Sequence, residues 1–177
     1  MDLQQFRKLA RNWDAFGDAD PLFGVLSDPT KFGGQWRVDD FFASGDAHVK
    51  KWLRILGELG ATFRPGTCLD FGCGVGRLTR PLAESFLETV GVDVAKSMIE
   101  VARRYNRNPR CRFAVNRDPD LRAINAGTFV VAERFIHEPR QQRVSVAMFG
   151  IVESQYLPAH RRSSATSASN ILSRRRA

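Results

Sequence analysis

Residues 69–79 read Leu69-Asp70-Phe71-Gly72-Cys73-Gly74-Val75-Gly76-Arg77-Leu78-Thr79. An apolar run from Thr67 to Phe71 predicts a short strand. The three evenly spaced glycines after it predict a tight turn, because glycine enters left-handed backbone without a Cβ penalty. A helix is expected to follow through Leu78, Leu82 and Phe86. Pro81 fits it only in the first turn, where backbone N–H groups have no intrahelical partner.

Working outward, Thr89–Asp93 predicts a second strand, Ser97–Tyr105 a second helix and Cys111–Val115 a third strand. Strand and helix alternate with short links, which is the pattern of a parallel α/β sheet with right-handed crossovers. The glycine turn and Asp93 then fall at the same edge of the sheet. A helix N-terminus there offers free N–H groups and partial positive charge. An acid ending the second strand can accept hydrogen bonds from the hydroxyls of an adenosine ribose. Dinucleotide sites place the third glycine three residues after the second. Here Gly72, Gly74 and Gly76 alternate, and Asp70 precedes them.

This stretch resembles motif I of the class I, Rossmann-like S-adenosylmethionine-dependent methyltransferases, whose first strand ends in an acid followed by G-x-G-x-G. Val90-Gly91-Val92-Asp93 followed by Ser97-Met98-Ile99 is similar to the next part of that family, and the resemblance covers residues 67–122. It implies S-adenosylmethionine as cofactor. It places Phe71, Gly72, Cys73, Gly74, Gly76, Arg77 and Leu78 around the methionine part and sets Asp70 toward its ammonium group. It also implies that Asp93 holds the ribose, that Val94 flanks the adenine with Asn116 near the adenine edge, and that Met98 is among the cofactor-binding residues. An ordinary turn role for Asn116, and a turn-capping role for Asp70, stand as alternatives. No metal site is expected.

The sulfonium methyl is already activated, so in-line positioning is the main demand on such a protein. His137 is the one histidine placed on the side where the family builds its acceptor pocket, and an incidental role is the alternative. No Asn/Asp-Pro-Pro-aromatic signature occurs, which argues against methylation of amino groups on bases or glutamines. The implied activity is methyl transfer to a small-molecule or glycan acceptor. The alternatives are a catalytically impaired cofactor-binding remnant and a nucleic-acid methyltransferase.

Residues 1–46 form an aromatic, turn-rich leader read as short helices. Trp36, Phe41 and Phe42 are candidates for a lid, with plain packing onto the sheet as the favoured reading. A domain over 47–155 begins with an amphipathic helix through Val49, Trp52, Leu53, Leu56 and Leu59, with Asp46 as its N-cap and Gly60 as its stop. His48 is then expected near that helix start. Further on, Phe129–Ala132 and Val144–Val152 are strand candidates. Glu133–Arg143 is barely long enough for a crossover and contains Pro139. The family's Phe-Asp at the fourth strand and its Pro-Gly-Gly turn are replaced, and nothing after Ser154 is similar to its final hairpin. The expected fold is therefore a mostly parallel Rossmann-like sheet, incomplete relative to seven strands, as if truncated or altered in reading frame.

Composition frames these readings. The 177 residues are 43% hydrophobic and 26% charged, ordinary values for a globular domain. No apolar run approaches the roughly 20 residues that cross a bilayer, and the N-terminus lacks a signal-like apolar core. A cytoplasmic protein without a membrane partner is expected. Of the net charge of +8, five charges come from Arg161, Arg162, Arg174, Arg175 and Arg176, in a 156–177 tail that reads as disordered. A basic tail is not a basic folded face, which weighs against nucleic acid as partner. Cys68, Cys73 and Cys111 match no metal spacing and are expected as reduced thiols.

Overall fold

The computed structural model describes residues 2–60, 66–117, 119, 129–136 and 144–150. The helices are α1 (Leu3–Ala19), α2 (Pro21–Val25), α3 (Val38–Glu58), α4 (Thr79–Leu82) and α5 (Lys96–Tyr105). The strands are β1 (Thr67–Phe71), β2 (Glu88–Asp93), β3 (Cys111–Val115), β4 (Phe129–Ile136) and β5 (Val144–Gly150). They form one sheet in the order β3-β2-β1-β4-β5. β1 pairs in parallel with both β2 and β4, and β2 with β3. The expected β1–α4–β2–α5–β3 core is therefore present, with β2 and α5 each beginning one residue earlier than the apolar pattern indicated.

The last two strands differ from the expectation. β4 runs on through Glu133 to Ile136, and β5 pairs with it antiparallel, from Val130 opposite Gly150 to Ile136 opposite Val144. Glu133–Arg143 was read as a cramped crossover. Antiparallel neighbours need no crossover, so the same short link suffices.

The leader is more helical than its turn residues suggested. α1 has 17 residues and opens with a capping box, in which the Asp2 side chain accepts from Gln5 N and the Gln5 side chain from Asp2 N. α3 has 21 residues and begins at Val38, so the boundary expected at residue 46 falls inside one helix. Asp46 is not a cap. Its carboxylate pairs with Arg80 Nη2 at 2.7 Å. His48 likewise sits mid-helix, its ring 4.5 Å from that of Trp52. α4 stops at Leu82 rather than reaching Phe86, with Pro81 in its first turn as the steric argument required.

Two apolar clusters flank the sheet. One joins Val49 and Trp52 of α3 to Cys68, Leu78, Leu82 and Phe86. The other joins Leu22, Phe41 and Phe42 to Val75, Ala95 and Met98. Phe41 is fully buried, edge-on to both Trp36 and Phe42. Phe41 and Phe42 are thus core rings with Trp36 packed half-buried against them, and large buried rings contribute most to packing. No helix among the described residues is long and apolar enough to cross a membrane.

Candidate functional site

The C-terminal ends of β1 and β2 carry the turn and the acid, side by side. Gly72, Gly74 and Gly76 have φ of 75°, 53° and 80°, the left-handed region that requires glycine here. The turn is tied down by its backbone: Gly72 N and Cys73 N both donate to Val92 O, at 2.8 and 3.0 Å. Open space faces the missing side chain of Gly72, whereas a Cβ on Gly74 would lie 2.3 Å from Val25 Cγ2. α2 thus covers the centre of the turn and leaves its start accessible.

Asp93 bridges turn and helix. Its Oδ2 accepts the Gly74 N–H at 2.8 Å, and its Oδ1 the Ala95 N–H at 2.9 Å. Burial pushes its carboxyl above the ordinary carboxylate range, against the lowering effect of the Ala95, Gly74 and Val94 N–H groups, with Asp14 adding to the rise. Val94 follows, half-buried. Asn116, at the end of β3, donates its N–H to Asp93 O at 2.7 Å and is itself buried.

Asp70 is buried behind the turn, where its Oδ2 accepts the Thr79 hydroxyl at 2.6 Å. That bond ties the end of β1 to α4. Arg77 is buried too, with Nη1 3.4 Å from Ser44 Oγ and Nη2 3.5 Å from His48 Nδ1, so its guanidinium reaches α3. Leu78 belongs to the Trp52 cluster, and Met98 to the Phe41 cluster. Phe71 is partly exposed at the strand end, and Cys73 is buried with its Sγ 3.5 Å from Gly74 O. The structure therefore gathers Gly72, Cys73, Gly74, Asp93, Val94 and Asn116 at one sheet edge. Asp70, Arg77, Leu78 and Met98 stand behind it in the supporting layer. His137 lies outside the described residues.

A cleft of about 370 Å³ opens beside Asn116. Val115 lines it from the end of β3, Asn116 and Arg117 from just beyond that strand, Lys96 from the start of α5, and Phe6, Arg7 and Ala10 from α1. The sequence reading missed the α1 and α2 contributions, including Val25. The only local signal for them was the apolar spacing of the leader.

Residues 68–151, just under half of the chain, match the model of a methyltransferase domain family. The fold is similar to that of phosphoethanolamine N-methyltransferase 1 from Haemonchus contortus, solved with phosphoethanolamine and S-adenosylhomocysteine. The identity is 17%, the TM-score 0.52, and the match covers 81% of this chain and 35% of that one. Magnesium protoporphyrin IX methyltransferase from Synechocystis PCC 6803, solved with S-adenosylhomocysteine, is 21% identical with a TM-score of 0.41 over 62% of this chain and 50% of that one. A search of curated proteins finds no match. The fold is Rossmann-like, a mostly parallel α/β sheet with flanking helices. Residues 68–151 are thus similar to a methyltransferase domain, and the chain spans about a third of the length of the Haemonchus contortus structure it matches.

Proposed function

We propose that this chain binds S-adenosylmethionine at the Gly72–Gly76 turn and transfers its methyl group to a small-molecule or glycan acceptor. One observation carries the reading: the Asp93 carboxylate and the glycine turn meet at the carboxyl edge of a parallel sheet, 2.8 Å apart. Edges of this kind are where open α/β sheets bind nucleotides.

The residues present fit such a cofactor. Asp93 supplies an acceptor for ribose hydroxyls, the open face of Gly72 admits the methionine part, and Val94 and Asn116 border the adenine end. The cleft between Phe6 and Val115 continues from Asn116. When bound, S-adenosylmethionine supplies a methyl group already activated on a sulfonium. The protein's part is to fix its orientation, to exclude water and to present the acceptor in line. Asp70, held by Thr79, and Arg77, held by α3, keep the turn in place for that purpose.

A cofactor-binding remnant without turnover is the second reading. It is favoured by β5, which runs antiparallel beside β4 and so ends the parallel run of the sheet at four strands. Nucleic acid is a weaker proposal, because five of the eight net positive charges come from Arg161, Arg162, Arg174, Arg175 and Arg176 and not from the sheet and its helices.

The test is calorimetric titration of the full chain with S-adenosylhomocysteine and, separately, with NAD. Saturable binding of the first alone is expected. Binding of NAD without S-adenosylhomocysteine overturns the proposal. Turnover with a panel of hydroxyl, carboxyl and amine acceptors then separates the enzyme from the remnant.

A further inference from the structure

We propose that Asp14 is a positioning residue for this site: it caps α5 from the leader and thereby sets the loop that carries Asp93 and holds the glycine turn. The proposal rests on the cofactor reading above.

α5 begins without a cap of its own, because Ala95 stands at the N-cap position and makes no side-chain bond there. An uncapped helix leaves its first N–H groups without intrahelical partners. Asp14, 83 residues earlier, takes this role. Its Oδ1 accepts the Ser97 N–H at 2.9 Å. The Ser97 hydroxyl lies 3.0 Å from both the Asp14 backbone O and Oδ1, and its single proton donates to one or the other. The contact is close because Gly17 stands one turn further along α1. A Cβ at Gly17 would lie 2.2 Å from Ser97 Oγ and 3.1 Å from Met98 N.

From Ser97 the connection continues into the site. Two residues back, the Ala95 N–H donates to Asp93 Oδ1, and Asp93 Oδ2 accepts the Gly74 N–H. Hydrogen bonds and two short backbone steps thus link the leader to the centre of the glycine turn. The same face of α1 reaches the cleft. Phe6, Ala10, Asp14 and Gly17 are spaced by four, four and three residues, one stripe of a helix. The stripe presents Phe6 and Ala10 to the cleft beside Asn116, and Asp14 and Gly17 to α5. Releasing the clamp therefore withdraws the Phe6 wall and slackens the Asp93 loop together.

The experiment measures S-adenosylhomocysteine affinity and amide hydrogen exchange in the full chain. Asp14→Ala is expected to weaken binding by about tenfold, in line with the loss of a helix cap, and to speed exchange at the Ala95 and Gly74 amides. Asp14→Asn keeps a carbonyl acceptor and is expected within about twofold of wild type. Gly17→Ala pushes α1 off α5 with Asp14 intact and should reproduce the signature, which covers the case in which Asp14→Ala fails to fold. Leu56→Ala, in the Trp52 cluster, lowers stability elsewhere and should leave both amides and the affinity as in wild type. Unchanged affinity and exchange in folded Asp14→Ala overturns the proposal, as does the same loss in Leu56→Ala. If the wild-type chain binds no S-adenosylhomocysteine, the cofactor reading fails, and exchange at Ala95 and Gly74 alone then upholds or overturns the clamp.

Discussion

Asp93 and Gly74 are joined by a hydrogen bond of 2.8 Å from the Gly74 N–H to Oδ2, across 19 residues of chain. The acid that ends β2 thus does two things. Its backbone O accepts the N–H of Asn116, which lines the cleft, and its carboxylate fixes the backbone of the turn on which a ligand would rest. With Ala95 N–H on its other oxygen, the carboxylate is the hub of the site.

Removing this hub should be costly. Asp93→Ala is expected to weaken S-adenosylhomocysteine binding by about tenfold to a hundredfold, since hydrogen bonds to a charged group are worth roughly 1.5–3 kcal/mol. Calorimetry checks it. Wild-type affinity in the mutant would remove Asp93 from the site.

Asp93 also predicts a pH dependence with opposite signs for stability and for binding. Burial raises its folded pKa above the ordinary 3.8. An acid whose pKa is raised on folding contributes stability that is fully present below the unfolded value and lost as pH rises through the folded value. Relative to Asp93→Asn, which does not titrate, the wild-type Tm should fall as pH rises across that window. Binding needs the charged acceptor, so wild-type affinity should fall as pH drops through the raised value, and the mutant should lack that step. Parallel melting and titration series over mildly acidic pH decide it. A constant Tm difference between the two proteins would contradict the assignment.

Gly74→Val should weaken binding by at least tenfold and lower the Tm. A β-branched residue resists the φ of 53°, and its Cβ would lie 2.3 Å from Val25 Cγ2, so α2 must leave the turn. Partial recovery of Tm in Gly74→Val with Val25→Ala would identify the α2 clash as the cause. A single mutant that melts and binds like wild type would show that the turn tolerates both strain and clash.

The three cysteines should be nearly inert in the folded chain. Burial, then Asp70 and Glu84, push the Cys111 thiol up to about 11, against the pull of Arg80. Burial and Asp70 drive Cys68 and Cys73 higher still. At pH 8 a thiol of that pKa is about one part in a thousand thiolate, the reactive form. Ellman's reagent should therefore titrate all three promptly only after denaturation. One fast thiol in the native protein would count against the packing around Thr79 and Asp70.

The sequence by itself determined the β1–turn–α4–β2–α5–β3 unit and the placing of Gly72, Gly74 and Asp93 at one edge. Those features are local: strand and helix periods and a glycine turn are set by neighbours within a few residues. It misassigned Asp46, because a preferred capping residue before an amphipathic run looks like a cap, whereas its carboxylate is used by Arg80, 34 positions away. Only the tertiary structure decided that α3 begins at Val38, that β5 pairs antiparallel with β4, that Val25 lies on Gly74, and that Asp14 caps α5. The last two are contacts between segments far apart in the chain. Such contacts leave no periodicity in either segment, and they form because buried N–H groups and apolar faces must find partners wherever the fold brings them.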